Sequence, residues 1–208
     1  YLIALFRTSP PTKENRRHGL TQFVVDMKTP GIAVRPIYHL TGQHDFNEVV
    51  FQDALLPADA LLGTEGEGWK QATAELAFER SGPERYMTTF PLFVELLRRL
   101  GQSPDARAAE MIGRLTAGMW SLRRMSLAIS LALEPGRADA GAHPAVDLAT
   151  EAALVKDLGT FYEREIVDAA RLLVAVEPTP DSTDVFERYL AETIVCAPVA
   201  TIRGGTTQ

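Results

Sequence analysis

Only one cysteine, Cys196, occurs in the 208 residues, so no disulfide can form within the chain. A reducing, cytoplasmic compartment is therefore the expected one. Cys196 lies in the apolar run 194–200, where a small buried hydrophobe is the ordinary reading and a nucleophile the rarer one. No apolar run approaches the roughly 20 residues of a membrane span, and no signal-peptide pattern is present. Lys and Arg are not gathered on one face; with a net charge of -6 and the two signs interspersed, nucleic acid is not expected as a main partner. The nearest approach to a basic cluster is Lys13, Arg16 and Arg17, beside Pro10 and Pro11, which reads as a solvated hairpin loop. The four histidines, His18, His39, His44 and His143, are scattered and form no metal-ligand pattern. There is no G-x-G-x-x-G, no phosphate-binding P-loop and no G-x-S-x-G, so neither the usual nucleotide motifs nor a hydrolase triad has an anchor.

What is present is a core-forming load, 46% hydrophobic, arranged in two grammars. Residues 1–62 read as part of an antiparallel β-domain. Strands are predicted over 2–6, over 20–27, from Ile32 and over 48–52, each rich in β-branched and aromatic residues. Thr29-Pro30-Gly31-Ile32 has Pro and Gly at the two central positions of a type II turn, and predicts a hairpin between the second and third strands. Pro36 predicts that the third strand frays or lies at an edge. The apolar opening, from Tyr1 to Phe6, reads as if the chain begins inside a sheet.

Residues 63–208 read as helical, and four long amphipathic segments predict an up-down four-helix bundle. The first opens at Gly66-Glu67-Gly68-Trp69. The second fits 105–133, with Met111, Leu115, Met119, Leu122 and Ile129 on one stripe and Pro135-Gly136 as its stop. The third fits 144–176 (Leu154, Leu158, Tyr162, Ile166, Ala169, Leu173), and the fourth 183–196. Taken whole, the chain is α+β: a partial β-domain followed by a helical bundle.

On the first helix Trp69, Ala72 and Leu76 share a stripe. At roughly 100° per residue, Arg80 falls about 20° from Trp69 and Glu79 about 80° on the other side. A carboxylate beside an apolar stripe is expensive to bury and is usually paired or functional. The structural reading pairs Glu79 with Arg80, or with Arg85 one turn on; the functional reading makes it a base. Ser81-Gly82-Pro83 follows, and Pro83 predicts a kink or a corner there. At the other end, Gly204-Gly205-Thr206-Thr207 forms a turn whose backbone N–H groups are accessible to a polar ligand, or that merely ends a helix.

Several stretches, in order, resemble the acyl-CoA dehydrogenase family. Residues 24–32 (VVDMKTPGI) resemble the hairpin of its middle β-domain. Residues 48–53 (EVVFQD), Leu56-Pro57, Leu61-Leu62-Gly63 and Gly66-Glu67-Gly68-Trp69 resemble the strand and linker into its helical domain. Residues 200–208 (ATIRGGTTQ) resemble its flavin-contacting turn. The resemblance spans essentially the whole chain as the C-terminal half of a subunit, without the N-terminal helical domain, the first β-strands and the last helix.

The resemblance implies FAD-dependent oxidation of an acyl-CoA thioester to the trans-2-enoyl-CoA in acyl-CoA catabolism, an electron-transferring flavoprotein as acceptor, and a homo- or hetero-oligomer. In many members the base sits two residues before the Thr that matches Thr206, which here is Gly204. Others keep it on the first helix of the C-terminal domain, directly before an Arg, which here is Glu79 before Arg80. The resemblance thus implies Glu79 as base, the Gly204 backbone N–H on the thioester oxygen, Arg80 and Arg203 beside the substrate, and Gly205, Thr206 and Gln208 on FAD. The family's Arg-x-x-Phe-Gly stretch, whose Arg reaches the FAD pyrophosphate of a neighbouring subunit, is replaced by residues 96–104 (LLRRLGQSP), without the phenylalanine and with Arg98 or Arg99, at a different spacing, as the candidate substitutes. A non-catalytic or partial subunit that completes a partner's flavin site is the alternative, and oxidase or monooxygenase chemistry a third.

Overall fold

A computed structural model describes residues 1–134 and 147–205. The chain divides into two compact units, Tyr1–Glu75 and Leu76–Gln208. In the first, β1 (Leu2–Arg7) and β2 (Leu20–Val25) form an antiparallel hairpin running from Leu2 opposite Val25 to Arg7 opposite Leu20. The two-residue strand β5 (Leu61–Leu62) occupies the other edge of β2. The basic loop between β1 and β2 is a hairpin loop, as its composition predicts, and Arg17 lies 4.3 Å over the ring of Trp69. Fully buried Thr21 ties the unit together, its hydroxyl 2.8 Å from that of Thr8 and accepting from the Gly66 N–H at 2.9 Å.

The type II turn is present: the Ile32 N–H donates to the Thr29 carbonyl at 3.1 Å, and Gly31 has φ 88°. It does not join a hairpin, however. Both edges of β2 are already filled, so β3 (Ile32–Tyr38) pairs forward with β4 (His44–Phe51) in a separate two-stranded sheet. Pro36 lies within β3 opposite Asn47, tolerated because a two-stranded ribbon leaves each strand one unpaired edge.

Helix α1 spans Gly68–Ser81, followed by a 3-10 turn at Pro83–Arg85 and then α2 (Phe90–Leu100). The first helical segment is thus two helices meeting at a corner, where Gly82 and Pro83 interrupt the ladder. Helices α3 (Ala106–Ala132), α4 (Leu148–Leu173) and α5 (Val185–Ala200) complete the bundle. The carboxylates of Asp105, Asp147 and Asp184 each accept a backbone N–H of the first turn that follows; such caps are worth about 1 kcal/mol each. Pro135-Gly136 and Pro144 lie outside the described residues.

The core of this unit is apolar and continuous: Leu92, Phe93 and Leu96 of α2, Leu115, Leu122 and Ile129 of α3, Val155, Tyr162 and Ile166 of α4, and Phe186 and Leu190 of α5. The α3 stripe is the one its spacing predicts, with Met111 and Met119 packed at its margin. On α4 the stripe is corrected at its start. Leu154 and Leu158 are exposed, and Ala152, Val155 and Gly159 take the inner face. No helix among the described residues is long and apolar enough to cross a membrane.

Among the described residues, one polar group on the core cluster is left unsatisfied. The Tyr162 hydroxyl is buried without a hydrogen-bond partner, and burial, aided by the charges of Glu165 and Glu163, pushes its pKa up to about 12. Tyr162→Phe should therefore leave stability at pH 7 unchanged or raise it by up to about 1 kcal/mol, read from urea denaturation. The native phenol titrates above its ordinary value of 10.0, so its contribution is complete below that pH and is lost as pH rises through about 12. The phenylalanine variant should be spared that alkaline loss.

Candidate functional site

Glu79 and Arg80 occupy the last turn of α1, where carbonyls lack helical partners. Arg85, buried in the following 3-10 turn, folds back onto them. Its Nε donates to the Glu79 carbonyl at 2.8 Å, and its Nη2 pairs with Glu79 Oε1. The corner can close this tightly because Gly159 of α4 has no side chain: a Cβ there would lie 2.4 Å from the Arg85 carbonyl oxygen. Glu79 itself is not buried, contrary to the stripe argument; its side chain is 43% exposed. The helix ends on the turn that carries it, so its main chain is held while its carboxylate projects outward. Oε2 accepts no hydrogen bond among the described residues.

The turn after α5 reaches the same place. Gly204 and Gly205 have φ 67° and 110°, the left-handed region that favours glycine. Arg80 Nε donates to the Gly204 carbonyl at 2.9 Å, across 124 residues of sequence. A Cβ at Gly204 would lie 3.6 Å from Glu79 Oε1, and at the same distance from side-chain atoms of Arg80 and Arg85. Among the described residues the Gly204 N–H has no acceptor, whereas the Gly205 N–H donates to the Ile202 carbonyl at 3.3 Å. The structure therefore brings Glu79, Arg80, Gly204 and Gly205 together. Thr206 and Gln208 lie outside the described residues.

Arg203 is turned toward α4. Its Nη2 lies 3.0 Å from Oε2 of Glu163, and its two terminal nitrogens lie 3.2 and 3.3 Å from the Thr88 hydroxyl. Glu163 is 2% exposed, and its Oε1 accepts the Thr88 N–H at 2.7 Å. Burial raises its pKa, opposed by the Thr88 hydrogen bonds and the Arg203 charge. Sequence reasoning missed Glu163, although the phase of α4 carried a signal: Thr160, Glu163, Val167 and Ala170 share one buried face. Arg98 and Arg99, considered for an anion, are both engaged, Arg98 with Glu95 and Arg99 with Asp184 at 2.7 Å. No cluster of His, Cys, Asp or Glu able to hold a metal occurs among the described residues.

The geometry places one demand that can be tested directly. Gly159→Ala should push the Arg85 main chain off α4 and destabilise the protein by about 1–3 kcal/mol, read as a lowered thermal midpoint.

No family model matches the chain. Among curated proteins, acyl-CoA dehydrogenase IpdE1 of Mycolicibacterium smegmatis is 36% identical over 131 residues, 60% of this chain and 33% of that protein. Among solved structures, butyryl-CoA dehydrogenase of Megasphaera elsdenii superposes with a TM-score of 0.70 at 18% identity, over 98% of this chain and 52% of that one. A chain in a structure of the electron transferring flavoprotein of Acidaminococcus fermentans gives 0.73 at 21% identity, with the same coverages. The chain spans about half the length of the solved chains it matches. The ordered resemblance in the sequence, the curated relatives and the shared fold agree, and the chain is a homologue of the acyl-CoA dehydrogenases.

Proposed function

We propose that this chain serves the FAD-dependent α,β-dehydrogenation of an acyl-CoA thioester, with Glu79 as the base that removes the α-proton. The observation that carries this reading is the meeting of Glu79 with Gly204. The two positions where a base is expected, far apart in sequence, converge: a side chain on residue 204 would start 3.6 Å from the Glu79 carboxylate. A base missing from one position is supplied from the other at nearly the same point in space.

The remaining groups fit their roles. The Gly204 N–H, without an acceptor among the described residues, supplies a donor for the thioester oxygen, where negative charge builds as the proton leaves. Arg80, through its bond to the Gly204 carbonyl, sets the direction of that turn, and its remaining guanidinium nitrogens stand beside the substrate. Arg85 pairs with Oε1 of Glu79 and keeps the carboxylate aimed. Oε2, unengaged among the described residues and on a partly exposed side chain, is the oxygen left to take the proton.

FAD, when bound, accepts the β-hydride. Gly205, Thr206 and Gln208 would hold it, and the turn fits a flat ring system, since both glycines lack side chains. Electrons would then leave to an electron-transferring flavoprotein. A second reading, a partial subunit that completes a partner's flavin site, draws on the ion pairs of Arg98 and Arg99, which leave neither arginine uncommitted for a flavin phosphate.

Purified protein should be yellow and should bleach anaerobically with a suitable member of a panel of acyl-CoA esters. Protein that is colourless alone and gains flavin only with a second subunit would select the second reading. Glu79→Gln should lose at least about a hundredfold in bleaching rate, the usual scale for a general base, with flavin retained. Turnover unchanged by that substitution would make Glu79 a structural partner of Arg85 and remove it as the base.

A further inference from the structure

The turn that presents Gly204 has little regular structure of its own, yet it is gripped from two directions. On one side is Arg80, bonded to the Gly204 carbonyl. On the other is Arg203, the residue immediately before Gly204, whose guanidinium reaches into the bundle to Glu163 and Thr88. These three residues close a ring: Glu163 binds the Thr88 N–H with one oxygen and Arg203 with the other, and Arg203 binds the Thr88 hydroxyl. The ring links α4, the segment between the Arg85 turn and α2, and the turn after α5. A carboxylate buried to 2% on a helix face otherwise filled by Thr160, Val167 and Ala170 is a costly choice for packing alone. Arg203 Nε is buried with no acceptor among the described residues, and among them Glu163 and Thr88 are the groups that place the guanidinium.

We infer that Glu163 is a positioning residue for the reaction: acting through Arg203, it fixes the Gly204 backbone and so the direction in which the Gly204 N–H points. Neither Glu163 nor Arg203 touches the reacting atoms in this role. Glu163 anchors the turn from within the bundle and Arg80 anchors it from the site, so the donor cannot drift when charge develops on the substrate oxygen. The inference rests on the reading of the site given above, but the anchoring can be measured without it.

Glu163→Gln in the purified, flavin-loaded protein removes the charge and keeps the shape. Amide hydrogen exchange should speed up at least about tenfold at Ile202, Arg203 and Gly205, whose N–H groups are bonded within the turn, while α3 amides stay protected. With an acyl-CoA substrate, kcat should fall roughly ten- to hundredfold, the scale of a misplaced group, and KM should stay within about threefold. Unchanged exchange at the turn overturns the anchoring; faster exchange with unchanged kcat overturns its use in the reaction. If Glu163→Gln does not fold, Arg203→Gln breaks the same link from the partly exposed side, and the same pair of changes is expected, with no change overturning the inference. The two proposals separate cleanly. Failure of Glu79 as base appears as unchanged turnover in Glu79→Gln and does not affect the exchange result for Glu163→Gln.

Discussion

The Arg85 guanidinium sits in the bundle interior and leans on a single residue, bonding both the carbonyl and the carboxylate of Glu79. Remove that contact and three things lose their reason. The last turn of α1 has a carbonyl without a partner, Glu79 has no fixed bearing, and the corner between α1 and α2 has nothing to close on. A helix end normally solves its orphan carbonyls with water or a glycine cap. Here a cation does so, and the same cation aims an acid. The arrangement depends in turn on α4, where Gly159 lets the Arg85 main chain approach closer than any side chain would allow.

The bundle converts this local contact into a meeting of distant segments. Helices α4 and α5 are joined near the site by the Thr160 hydroxyl, which lies 3.3 Å from the Ala200 carbonyl at the end of α5. The chain therefore leaves α5 at a fixed height on α4, and the next few residues deliver Gly204 to the end of α1. Bringing together groups 124 residues apart is entropically expensive for a loop but nearly free for a rigid bundle whose core is already closed. Precision at the turn is thus inherited from packing at Val155, Tyr162 and Ile166.

Much of this was legible in the sequence where a pattern had only one physical meaning. The α3 stripe was readable because Leu115, Leu122 and Ile129 recur at helical spacing with no competing face. On α4 the large exposed Leu154 and Leu158 outweigh the smaller Ala152 and Val155, so the start of the stripe reads out of phase while Tyr162, Ile166 and Ala169 fall on the buried face as expected. The turn at Pro30-Gly31 was read correctly as a turn and wrongly as a hairpin, because turn chemistry fixes a bend and says nothing about which edge of the preceding strand is already taken. Glu79 stands out in the sequence for the wrong physical reason: the helix stripe implies a buried carboxylate, and this one projects outward. Glu163 went unseen because a lone glutamate in a helix looks solvated until the phase of the buried face is known.

The left-handed glycine at position 204 has a spatial consequence as well as a conformational one. A side chain carried there would begin 3.6 Å from Oε1 of Glu79 and equally near side-chain atoms of Arg80 and Arg85. In that sense Gly204 is an opening as much as a hinge: by having no side chain, it leaves the space beside Glu79 to whatever the turn receives.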